Sequence, residues 1–113
     1  MVCGHDPTMT TLPFLRVVVS GPSMIPTLLP GETLWVRRTR RIRPGDIAVF
    51  RDPRGGDLLF VKWAIRREPG GWWVEGEISG EHLPDSHAFG VVPESAIVGR
   101  VLRGPRTSRP ARS

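Results

Sequence analysis

An antiparallel, mostly β domain built from short strands and hairpins is the fold class this sequence predicts. Three observations point there. Glycine (13) and proline (12) are frequent among 113 residues, which favours turns over long helices. Short alternating apolar runs recur along the chain, and Pro-Gly or Asp/Gly signals separate them. No stretch keeps a helical apolar period long enough to require an α-helix.

The elements follow in order. The β-branched run Val17-Val18-Val19 puts the first strand at 15–19, and Gly21 and Pro22 end it. Pro30-Gly31 turns the chain into a strand at 34–36. Pro44-Gly45 precedes one at 47–50. Asp52-Pro53-Arg54-Gly55-Gly56 leads to 58–65, and Pro69-Gly70-Gly71 makes a hairpin turn into 72–74. A last strand covers 96–102, and Pro93-Glu94-Ser95 suits one turn of helix. Alternation along 58–65 places Phe60, Lys62 and Ala64 on one face, with Leu59, Val61, Trp63 and Ile65 on the other. Trp35, Trp63, Trp72 and Trp73 read as core or pocket wall. Adjacent Trp72 and Trp73 face opposite sides of a strand, so one of them is partly exposed.

The length allows one hydrophobic core. The organisation expected is a flexible N-terminus at 1–12, one domain at 13–103 and a disordered basic tail at 104–113, with Met9 as an alternative start. The formal charge is +5, gathered at Arg37-Arg38, Arg40-Arg41-Ile42-Arg43, Arg66-Arg67 and the tail. Such clusters serve nucleic acid, an anionic membrane surface or a solvated face. Zinc-finger spacing and a groove-reading helix pair are missing, so no nucleic acid is expected as partner and the solvated face is preferred. No run of about 18 apolar residues occurs, so no transmembrane segment is expected. The first residues lack a secretory pattern, and the lone Cys3 cannot form an intrachain disulfide. Both agree with a cytoplasmic location. Cys3 and His5 alone are too few to hold a metal, and no cofactor is expected.

Two residues carry candidate chemistry. Ser23 lies in Gly21-Pro22-Ser23-Met24-Ile25-Pro26-Thr27-Leu28, on a stiff turn after a strand. Rigid placement suits a nucleophile, although a serine beside proline is also an ordinary turn residue. Lys62 is the one charged residue in an otherwise apolar strand. It is either an edge-strand lysine facing water or a desolvated amine with a lowered pKa. A neutral lysine can take the proton of a serine hydroxyl.

Four segments in order then resemble type I signal peptidases and their relatives, which use a Ser/Lys dyad. They are the Ser23-Met24-Ile25-Pro26-Thr27-Leu28 box, Arg43-Pro44-Gly45-Asp46-Ile47-Ala48-Val49-Phe50, Val61-Lys62, and Gly76 to Pro93 with Asp85-Ser86 and Phe89-Gly90-Val91-Val92-Pro93. The resemblance implies Ser23 as nucleophile, Lys62 as general base, and the Ser23 N–H in an oxyanion hole beside Gly21 and Pro22. It also implies Met24 in the substrate pocket, and Asp85, Ser86 and His87 as structural support. The short chain, the segment Arg41-Ile42-Arg43-Pro44-Gly45-Asp46 and Gly70-Gly71-Trp72-Trp73-Val74 look most like the maturation proteases of nickel-type superoxide dismutase. Those remove an N-terminal leader from the dismutase precursor, and the nickel belongs to that substrate.

The chain departs from the pattern in the fourth box. Gly76-Glu77-Ile78 replaces Gly-Asp-Asn, and Leu83 stands where a serine commonly bonds the lysine, leaving Ser79 or Ser86 as substitutes. Trp63 and His87 replace the arginines that hold the aspartate, so Asp85 needs His87, Arg66 or Arg67. Gly21 replaces a side-chain oxyanion donor that some members carry. The expected function is therefore a serine endopeptidase acting on a precursor or leader peptide. An extended substrate is expected beside strand residues 17–20 and 58–62. A membrane-associated peptidase and a catalytically weak leader-binding module are the alternatives. Self-cleaving repressors share the chemistry but carry a separate DNA-binding domain, for which this chain has no room.

Overall fold

The computed structural model describes residues 13–78 and 83–102 in full, together with the backbone of residues 2–5. Eight strands form one antiparallel sheet: β1 (Val2–His5), β2 (Phe14–Ser20), β3 (Thr33–Arg38), β4 (Ile47–Arg51), β5 (Leu59–Glu68), β6 (Gly71–Glu75), β7 (Val92–Pro93) and β8 (Ile97–Leu102). The spatial order is β1-β2-β3-β8-β4-β5-β6-β7, and β1 also pairs with β5. That extra pairing closes six strands into a barrel and removes their edges. The long β5 serves two neighbours on one side. Leu59 and Phe60 pair with β1, whereas Trp63 to Glu68 pair with β6.

Burial explains the sequence pattern. β2 alternates strictly, with Leu15, Val17 and Val19 inside and Phe14, Arg16, Val18 and Ser20 outside. β4 and the first half of β5 are buried on both faces, hence their nearly continuous apolar runs. Leu15, Val17, Leu34, Val36, Ile47, Val49, Val61 and Trp63 fill the barrel, and Met24 and Leu28 join them. A second core lies on the outer face of β4 and β5, where Ala48, Phe50, Phe60 and Ala64 meet Trp72, Val74 and Val92. The alternation read for β5 holds: Phe60 and Ala64 belong to the outer core, Val61 and Trp63 to the inner one.

The predicted mostly β class is the fold observed, and most strands lie within a residue or two of their expected bounds. Three elements were not anticipated. β1 falls in the stretch expected to be a flexible N-terminus. A four-residue helix, α1 (Ser86–Phe89), and the two-residue β7 precede a 3-10 turn at Glu94–Ala96, close to the helical turn expected at 93–95. Trp35 is corrected: it is 49% exposed on the outer face of β3, where none of the described elements covers it. Trp72 is buried and its neighbour Trp73 half-buried, as two faces of one strand require. The expected tail at 104–113 lies outside the described residues.

Candidate active site

Ser23 sits in the loop between β2 and β3. Gly21 turns the chain off β2 with φ of 90°, a conformation open to glycine. Ile25 N–H donates to Pro22 O (3.0 Å) and Leu28 N–H to Met24 O (2.8 Å), so the segment coils into a single tight turn. The Ile25–Pro26 peptide is cis. One turn apart, Met24 and Leu28 point into the barrel core and anchor the loop. At 1% exposure Met24 packs there. The Ser23 carbonyl accepts from Ile78 N–H (2.8 Å), tying the loop to the chain leaving β6.

Lys62 projects from the outer face of β5, opposite Ala48. It is the chain's only lysine; every other residue in the basic count is arginine. Ser23 and Lys62 are both fully buried. Gly76 brings them together. A side chain starting at Gly76 would lie 3.0 Å from the Ser23 carbonyl oxygen and 3.3 Å from Lys62 Nζ. A Cβ there is tight against both, so the glycine after β6 lets the Ser23 backbone and the lysine amine approach the same point.

Neither Ser23 Oγ nor Lys62 Nζ has a hydrogen-bond partner among the described residues. Buried polar groups are nearly always paired, and an unmade bond costs about 1–3 kcal/mol. These two atoms, on residues that both border Gly76, are what makes this place a candidate site. Burial holds the lysine pKa down to about 8 against 10.5, while the Asp85 charge opposes that shift. At pH 7 about a tenth of the amine is therefore free base.

Asp85 organises the flank. Its carboxylate accepts from His87 N–H (3.0 Å) as the N-cap of α1, and from Gly76 N–H (3.3 Å). His87 Nδ1 lies 3.0 Å from the same carboxylate, which fixes Nδ1 as the protonated nitrogen for a hydrogen bond to form. Ser86 Oγ accepts from Val74 N–H (2.8 Å) and does not reach the lysine. Ser79, the other candidate partner, lies outside the described residues. Arg66 and Arg67 do not hold Asp85; they pair with Glu68 and Glu94 and lie over Trp73 and Trp72.

Sequence reasoning missed Gly76 as the residue packed against both the Ser23 carbonyl and the lysine amine, and Glu77 as a clamp. Glu77 Oε1 accepts from Trp63 Nε1 (2.6 Å) and Thr27 Oγ1 (3.4 Å), joining β5 to the serine loop. The edges along which a substrate strand was expected are occupied here: β1 pairs with Val17–Ser20 on β2 and with Leu59 and Phe60 on β5.

The profile of the Peptidase S24-like family matches residues 10–77, a span holding the serine turn, Lys62 and Gly76. The chain belongs to the Peptidase S24-like family. A similar protein is Repressor protein C of Rhizobium phage 16-3, 36% identical over 61 residues, covering 45% of this chain and 23% of the repressor. The chain thus spans about a quarter of that relative. These matches carry the S24-like family and its peptidase character at a coarse level; they do not reach the signal peptidases or the dismutase proteases. No helix among the described residues is long and apolar enough to cross a membrane.

Proposed function

We propose that this S24-like chain is a serine endopeptidase with a Ser23/Lys62 dyad that removes an N-terminal leader from a precursor protein. The nickel-type superoxide dismutase precursor is the proposed substrate, on the sequence resemblance alone. The observation that carries the reading is the pair itself: a buried serine hydroxyl and a buried amine near pKa 8, both unpartnered, on either side of Gly76.

In this reading Ser23 Oγ attacks the scissile carbonyl while Lys62 Nζ takes its proton. The Ser23 N–H faces the developing oxyanion. The Lys62 ammonium then protonates the leaving amine, and the released product departs. A water, deprotonated by Lys62, cleaves the acyl ester and restores Ser23. The serine–lysine bond must form in the substrate complex, as catalytic hydrogen bonds often tighten only with substrate bound. A second reading, a leader-binding module with weak turnover, draws on the missing serine–lysine bond and on Leu83 in place of a serine.

The test is incubation of a nickel-type dismutase precursor with wild type, Ser23→Ala and Lys62→Met, read by intact mass. Trimming at one bond by wild type alone supports the dyad and the substrate. Cutting of a generic leader peptide but not the precursor leaves the peptidase and removes the substrate. Leader binding with no cutting by any form favours the binding module.

A further inference from the structure

A second feature lies on the same face of the sheet as the lysine. β8 stands between β3 and β4, so the connection from Arg38 to Ile47 must pass across it. Between that crossover and the strands is a cleft of about 540 Å³. Five arginines line it: Arg37 and Arg38 from β3, Arg41 and Arg43 from the crossover, and Arg100 from β8. Its other polar side chains already serve the backbone, Thr39 Oγ1 accepting from Arg41 N–H and Asp46 from Arg43 N–H. Elsewhere Arg54, Arg66 and Arg67 each pair with a carboxylate. Among the described residues none of the five cleft guanidinium groups does. Five positive charges gathered around the single carboxylate of Asp46 leave an excess that repels itself. Such a cleft is organised for an anion.

The register links the cleft to the dyad. Lys62 stands opposite Ala48, Ala48 opposite Arg100, and Arg100 opposite Arg37. Directly paired residues share a face, so Lys62, Arg100 and Arg37 form one row across four strands. Arg100 is two strand spacings from Lys62, roughly 10 Å, which an extended chain crosses in about three residues. The arginines come from three neighbouring segments around one cleft, and the guanidinium fork matches a carboxylate bidentately. A single-stranded nucleic acid wants a series of open rings for stacking. On β2 and β3 the exposed rings are two, Phe14 beneath Arg37 and Trp35, and not a series.

We propose that the arginine cleft binds an acidic polypeptide segment, a run of aspartate or glutamate lying about three or more residues from the bond presented to Ser23. Its role as a substrate subsite rests on the peptidase reading above; the binding does not.

The test uses the full chain carrying Ser23→Ala and two fluorescein-labelled peptides, one containing Glu-Asp-Glu and one the amide twin Gln-Asn-Gln. Fluorescence anisotropy is expected to give the acidic peptide at least about tenfold tighter binding, weakening as salt is raised. That preference disappears in Arg41→Gln/Arg43→Gln/Arg100→Gln and survives in Arg54→Gln/Arg66→Gln. If the triple variant does not fold, Arg41→Gln alone, on the exposed crossover, is read for a partial loss. Equal binding of the twins, or a preference untouched by the cleft variants, overturns the proposal. So does a single-stranded oligonucleotide that binds tighter than the acidic peptide and loses that affinity in the triple variant. Cleavage assays on the Ser23 form report separately. A chain that cuts nothing yet keeps the cleft-dependent preference loses the peptidase reading and retains the acidic-peptide site.

Discussion

In the proposed dyad, Lys62 sets the pH response at the scale of single residues. Its amine is lowered to about 8 by burial, so kcat/KM is expected to rise with pH through a midpoint near 8 as the free base forms. Asp85 opposes the shift with its negative charge. Asp85→Asn therefore moves the midpoint to lower pH, a direction that a merely damaged site does not predict. Because this is the only lysine, its side-chain NMR signal gives the same titration without substrate. Stability responds with a definite sign. Above about pH 10.5 the amine is neutral folded or unfolded and has no effect. Between 8 and 10.5 the unfolded chain binds a proton that the folded chain does not, so stability rises with pH. Below 8 the full penalty stands, roughly 3 kcal/mol. Lys62→Met is expected to be at least as stable as wild type in urea at pH 7 and to lose that rise. The chain has no tyrosine, and Cys3 and the N-terminus are common to both proteins, so the difference isolates Lys62. A less stable Lys62→Met at pH 7 contradicts the buried-base description.

Two glycines separate fold from chemistry at the scale of elements. A Cβ at Gly99 on β8 would lie 2.1 Å from Arg37 O and 2.7 Å from a Val36 methyl. Backbone cannot yield that much, so Gly99→Ala is expected to cost about 3 kcal/mol or more, measured by denaturant midpoint. A Cβ at Gly76 meets two carbonyl oxygens at 3.0 Å and the mobile lysine amine at 3.3 Å. Gly76→Ala is expected to cost about 1 kcal/mol in stability but at least tenfold in kcat, because it displaces the base. The strands were legible because their signals are local: β-branched runs, alternation, and Pro-Gly turns at 30–31 and 44–45. The serine and lysine were legible from a turn box and from one charge in an apolar strand. What escaped notice depends on contacts distant in sequence. α1 is too short for periodicity and exists because Asp85 caps it and bonds Gly76. Gly76 looked like the start of an altered box, and its role depends on β6 ending beside the Ser23 turn. Trp35 reads as core by type, yet its exposure follows from which face of β3 the barrel leaves outward.

Barrel closure and substrate access compete at the scale of the whole molecule. β1 supplies the sixth wall, pairing four residues with β2 and two with β5. Its register places Val2 opposite both Ser20 and Phe60, so its N-terminal end points toward the serine turn and the lysine. The same edges are those an extended substrate needs for backbone pairing. A chain begun at Met9 lacks β1, and two effects of opposite sign follow. The ladder bonds of β1 are lost and two edges open, lowering the urea midpoint and raising aggregation. The freed edges also admit a substrate strand without first expelling β1, so KM for a leader peptide falls severalfold while kcat is kept, the dyad lying outside the deletion. Measuring kcat and KM separately on chains beginning at Met1 and Met9, at a temperature where both are folded, distinguishes the possibilities. A lower KM makes β1 a competitor for the substrate edges. An unchanged KM with reduced stability makes it wall alone, and substrate must then approach the dyad from the Gly76 side, where β6 and its following segment run beside Ser23.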